Sequence, residues 1–298
     1  MLNVYERVDQ NKRRSVIVMI GFVFFVVGFV YLIGQLTDAS GGIIVMAGIF
    51  SLVSSIGSYF WGDKIILKLS SAKPASREDY FTYYTTAENL SLAAQIPLPK
   101  LYVIDSPAMN AFATGRDPEH AIVCVTTGLL NNLNRTELEG VIAHEISHIN
   151  NYDIRLMTIV AVLVGMITIL SDWLLRLGRI GLSDDDDSKT NPITLAAGLI
   201  AVIISPIAAK LIQLALSRKR EYLADATAVK LTRQPDGLIN ALKKLGQSPV
   251  PLKNANQATA HLFITNPLKN KRGLQKVASL FSTHPPLEDR INNLSQML

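Results

Sequence analysis

Cysteine is almost missing from this 298-residue chain: the single Cys124 stands in the apolar run Ala121-Ile122-Val123-Cys124-Val125. One cysteine excludes an internal disulfide and a thiolate metal cage, and it agrees with a reducing compartment. Its neighbours read as a buried strand. Histidine is sparse too, with five in all. The net charge is a modest +5, with neither aromatic–basic interleaving nor glycine-rich basic tracts. That excludes a nucleic-acid footprint and assigns the positive charge to a membrane surface. Charged residues are 18% of the chain against 49% hydrophobic, and the mean hydropathy is positive. The balance is too apolar for an ordinary soluble domain and too charged for a pure membrane bundle. A split accounts for it: several spanning segments plus a soluble part with its own core. No internal repeat is visible.

Residues 15–34 form an uncharged run, long enough at about 1.5 Å per residue to cross ~30 Å of hydrocarbon. It exceeds the ~7–15 apolar residues of a signal peptide, which favours an uncleaved anchor. A second run, 41–61, ends in the interfacial trio Tyr59, Phe60 and Trp61. Arg7, Lys12, Arg13, Arg14 and then Lys64, Lys68, Lys73 flank the pair, whereas the connection at 35–40 carries only Asp38. The positive-inside rule therefore places both outer flanks in the cytoplasm. Two more apolar stretches, 156–175 and 193–209, are less clean. The first contains Asp172, and the second holds Pro206 and runs into Lys210. They read either as a spanning hairpin or as one buried partway against protein. Between them, Asp184, Asp185, Asp186 and Asp187 lack the alternating spacing and turn glycine of a calcium loop and read as a solvated loop.

Two cytoplasmic pieces remain. In the first, 77–94 reads as a helix, and 101–104, 111–113 and 121–126 as strands. Thr136, with Glu139 three residues on, forms a capping-box pattern that starts a helix carrying Leu138, Val141, Ile142, Ile146 and Ile149 at helical spacing. Inside that helix lies His144-Glu145-Ile146-Ser147-His148, an H-E-x-x-H pattern. Residues i and i+4 share a helix face, so both imidazoles can meet one Zn²⁺, while Glu145 can reach the attacking water as general base. A catalytic zinc takes three protein ligands. Glu221 and Asp225 share a face of a later helix that breaks near Pro235. Glu221 can supply the third ligand, and Asp225 can accept the N–H of a ligating imidazole. The plainer reading is a solvated acidic pair beside Arg218, Lys219 and Arg220.

The joint order of these features resembles the membrane-bound zinc metallopeptidases of the heat-shock HtpX type, relatives of the CAAX-prenyl endopeptidases. The match spans an N-terminal apolar pair, Asn110-Ala111-Phe112-Ala113-Thr114-Gly115, the HEISH pattern, a second apolar pair, Arg220-Glu221-Tyr222-Leu223-Ala224-Asp225, and His284-Pro285-Pro286. The resemblance implies an α+β membrane protein: a mainly helical zincin-like protease domain with a small sheet, plus about four transmembrane helices. Residues 1–62 would be the first transmembrane pair and 63–155 the first part of the protease domain. Residues 156–216 would be the second apolar hairpin and 217–298 the remainder of the protease domain. It also implies one Zn²⁺ per chain held by His144, His148 and Glu221. The implied setting is the bacterial inner membrane, with the catalytic domain in the cytoplasm and misfolded or damaged membrane proteins as substrates. Asn110, Ala111, Phe112 and Ala113 would form a substrate-side edge strand, or, on composition alone, an interior one. His284 would stabilise the developing oxyanion or, on the local reading, link to a last helix at 285–294 capped by Ser282 or Thr283. His120 and His261 read as unpartnered. Arg290 reads as the partner of a carboxylate still to be named. A competing class is a non-catalytic chaperone or assembly factor in which the metal clamps the hairpin.

Overall fold

The computed structural model describes residues 4–37, 41–180, 218–248, 250, 259–265 and 285–297. Two long helices begin it, α1 (Val4–Thr37) and α2 (Gly41–Leu69). Within them, Val8–Tyr31 and Ile44–Leu69 are long and apolar enough to cross a membrane. On α2, Val45, Met46, Ile49, Val53 and Ile56 are exposed while Ser51, Ser54, Ser55 and Ser58 are buried. That pattern suits lipid. Small serines let helices approach closely, and three of the hydroxyls donate to helix carbonyls, Ser51 to Gly48, Ser58 to Ser55 and Ser55 to Met19 of α1.

Against the expectation of about four transmembrane helices, two among the described residues meet the length and hydropathy criterion alone. The first limb of the expected second hairpin is helical, within α6 (Asp153–Ile180). It qualifies only jointly with the helix before it, across an 85° bend. Its first half packs on α1 and α2, with Leu156, Ile159, Val160 and Leu163 buried. The second limb, 193–209, and the run Asp184–Asp187 lie outside the described residues.

The soluble part is built on a four-stranded sheet: β1 (Lys73–Pro74), β2 (Lys100–Ile104), β3 (Ala111–Thr114) and β4 (Ile122–Thr126), ordered β1-β2-β4-β3. The central pair is parallel and the outer pairs antiparallel. Helix α3 (Phe81–Ala94) starts later than the expected residue 77, because Ser76 and Asp79 close a turn on each other. After α4 (Thr127–Asn132) comes α5 (Arg135–Asn150), then α7 (Arg218–Thr232), α8 (Pro235–Gln247) and α9 (Leu287–Ser295).

Helix α5 is the centre of this part, walled by α3, α7, α8 and β3. Its capping box is Asn134 with Glu137, two residues before the expected Thr136 and Glu139. Asn is the stronger cap, and Lys244 of α8 holds Glu137 at 2.7 Å. Leu138, Val141, Ile142, Ile146 and Ile149 are all buried. A Cβ on Gly140 would stand 2.6 Å from the Leu238 backbone nitrogen, so α5 and α8 meet backbone to backbone. At its other end α5 stops at Asn151. Tyr152 takes the left-handed conformation, φ 59, and α6 departs at 85°.

Candidate metal centre

One turn of α5 presents His144 and His148, buried, with Nε2 atoms 3.2 Å apart and rings edge to face. Glu221 arrives from the first turn of α7. Its carboxylate oxygens stand 3.7 Å from His144 Nε2 and 3.6 Å from His148 Nε2. Zinc at about 2.0–2.2 Å from N and O donors in a tetrahedron sets ligand atoms roughly 3.3–3.5 Å apart. The closest approaches here, 3.2–3.7 Å with a different Glu221 oxygen nearest each ring, come near that spacing, and all three residues are buried. Two imidazoles and a carboxylate suit zinc better than a hard cation such as magnesium.

The outer nitrogen of each ring is also held. His144 Nδ1 pairs with Asp225 Oδ1 at 2.9 Å, and His148 Nδ1 with Asp153 Oδ2 at 3.0 Å. A carboxylate on Nδ1 fixes the tautomer that leaves the Nε2 lone pair free for a cation. Asp225 is in turn gripped by Arg290 of α9, Nη2 at 2.6 Å and Nε at 2.9 Å, a bidentate fork on a fully buried guanidinium. Glu145 is 3% exposed.

Charge in this nest is uneven. Burial pulls His144 down to about 4; Arg290 adds to that and Asp225 opposes it. Burial also opposes a charge on His148, yet the hydrogen bond to Asp153 and the charges of Glu221 and Glu145 hold it up at about 9. Burial would raise the Asp225 carboxyl, but the guanidinium of Arg290 holds it below the ordinary range.

Of the substrate-strand residues, Asn110 precedes β3, and Ala111, Phe112 and Ala113 lie in it. The strand is last in the sheet and packs beside α5. Its outer side is occupied at Ala111, whose carbonyl accepts from Ile264 N at 3.0 Å, while Asn110 Nδ2 donates to Thr265 O. His284 lies outside the described residues, as does the side chain of His261. The reading of His120 as unpartnered is corrected: its Nδ1 is 2.6 Å from Asp117 Oδ1 across a tight turn.

Residues 84–298 match the model of peptidase family M48. The chain is 45% identical over 294 residues to a protein named Protease HtpX homolog from Dictyoglomus turgidum, covering 98% of this chain and 94% of that one. The chain belongs to peptidase family M48. A relative of the same name from Streptococcus uberis is 40% identical over 300 residues, covering 99% of this chain and all of its own length (100%). Among solved structures, Ste24p of S. mikatae is 21% identical with a TM-score of 0.48, covering 94% of this chain and 65% of that one.

One member of this candidate site, Asp153, carries no signal in the sequence, and the sequence leaves the partner of another, Arg290, open. Asp153 is five positions after His148, off the helical face, and reaches it only because Tyr152 turns the chain. Arg290 was legible as a cation needing a carboxylate; its partner is Asp225.

Proposed function

We propose that this membrane M48 chain is a zinc-dependent endopeptidase. On this reading its protease domain lies on the cytoplasmic side of a bacterial inner membrane and hydrolyses misfolded or damaged membrane proteins. The observation that carries the reading is the convergence of His144, His148 and Glu221 at zinc-ligand spacing, with each imidazole oriented by its own carboxylate. Bound zinc would supply a Lewis acid that polarises the scissile carbonyl and brings the pKa of an attacking water toward ~7. Glu145 takes the proton of that water and delivers it to the leaving amine. Asp225 and Asp153 hold the imidazoles in place. An extended peptide running beside Ala113 of β3 would pair with backbone rather than side chains. That favours segments already unfolded over intact domains.

The test is metal analysis of detergent-purified protein alongside casein digestion. One zinc per chain is expected, with activity lost to a chelator and restored by Zn²⁺, and Glu221→Gln is expected to lower bound zinc. A metal-stripped protein that cleaves at the same rate would overturn the reading.

The charge balance adds a second expectation. His148 in the metal-free protein has its pKa near 9, above neutral pH, so it holds a proton there. A ligand imidazole must be neutral. Zinc uptake at pH 7 should therefore expel about one proton, and affinity should climb about tenfold per pH unit until pH passes ~9. Calorimetry in two buffers of different ionisation heat measures this. Uptake without proton release would count against it.

A further inference from the structure

Asn11 lies inside the first membrane-crossing segment, Val8–Tyr31, yet it is 4% exposed and faces protein. Its Nδ2 donates to Asp153 Oδ1 at 2.8 Å and to the Asn151 carbonyl at 2.9 Å. Its Oδ1 accepts from Arg220 Nη1 at 3.1 Å. Arg220 immediately precedes Glu221, and its Nε is 3.6 Å from the same Asp153 oxygen. The other oxygen of Asp153 holds His148. One amide on α1 therefore bonds the carboxylate that orients one candidate ligand and the residue next to another.

The side-chain type is matched to the place. An amide has two N–H donors and an acceptor oxygen, so it can serve the Asp153 carboxylate, the Asn151 carbonyl and the Arg220 guanidinium at once, whereas a hydroxyl has one proton to give. A leucine there would leave Asp153 and Arg220 short of a partner in a buried site. A carboxylate would sit against Asp153 with like charge.

We propose that Asn11 is a positioning residue for the metal centre: by holding Asp153 it fixes the His148 imidazole, so the first membrane helix and the metal site form one structural unit. The inference rests on the zinc-peptidase reading above. It differs from ordinary helix-to-helix adhesion by a polar side chain because it assigns the effect to metal affinity through Asp153.

The experiment measures zinc affinity of the full-length protein in detergent by competition with a chromophoric chelator, together with the visible spectrum of the Co²⁺-loaded form. The proteins are wild type, Asn11→Asp, Asp153→Asn and the double variant. Residues that orient metal ligands typically contribute about 10–100-fold to affinity, so each single variant should bind zinc about tenfold more weakly and shift the Co²⁺ spectrum. The double variant reverses donor and acceptor: residue 11 accepts from the new amide at 153, whose oxygen still accepts from His148. It should lose no more than either single variant. Losses that multiply in the double variant, or Asn11→Asp within about twofold of wild type, would overturn the inference. Should Asn11→Asp fail to fold, Asn11→Ala takes its place, with the same tenfold loss expected and an unchanged affinity again overturning it. If the wild type itself binds no zinc, the peptidase reading falls and this inference with it. Zinc-binding wild type with unaffected Asn11 variants removes the inference alone.

Discussion

Glu145→Gln is expected to slow proteolysis by about 10²–10⁴-fold, the usual contribution of a general base, while zinc content stays at the wild-type level. Glu145 lies on α5 between the two histidines and is buried with them. Its charge is felt at both His148 and Arg290. The amide of glutamine keeps the shape and loses the ability to accept a proton. Casein digestion and metal analysis on the same preparation separate the outcomes. Wild-type cleavage by the variant would remove Glu145 as the base, and loss of zinc with the activity would make it a structural member of the site.

The second large effect is expected at Arg290. This guanidinium is fully buried and bonds both oxygens of Asp225; Glu221 lies 3.8 Å away. Arg290→Ala leaves the Asp225 carboxylate facing a cavity without its cation and removes one of the positive groups near Glu221, and stranding one member of a buried ion pair costs about 3–5 kcal/mol. Arg290→Lys keeps the charge but not the planar fork, so it should recover only part of that. The check is thermal unfolding of the metal-free protein in detergent. Replacing Arg290 and Asp225 together by apolar residues should destabilise less than Arg290→Ala alone. An Arg290→Ala midpoint equal to wild type would refute the structural role given to this pair.

What could be read from the chain follows the range of the interactions involved. The H-E-x-x-H helix and the Glu221/Asp225 face depend only on helical spacing, so their residue types announced them. The first membrane pair was equally plain, since an uncharged run needs no tertiary information to be long. The cap of α5 was misplaced by two residues because Asn134 with Glu137 and Thr136 with Glu139 overlap as patterns. The choice between them is reinforced by Lys244, which comes from another helix. His120 reads as an unpartnered surface residue; it is exposed, but it has a partner, Asp117, only three residues away. Asp153 was out of reach for a different reason. Its role depends on a left-handed tyrosine, Tyr152, and no propensity predicts such a residue. Arg290 could be seen to need a carboxylate, but the packing of α9 against α7 decides which one.

The clamp on Asp225 comes from α9, residues Leu287–Ser295, whereas the histidines it serves are at positions 144 and 148. Chains are made from the N-terminus at about 5–20 residues per second. A ribosome therefore finishes the helix bearing the imidazoles many seconds before it supplies the guanidinium that locks their partner. Throughout that interval the growing polypeptide already carries its histidines, but their support is incomplete. The late arrival of one arginine delays completion of the candidate centre well past the synthesis of its histidines.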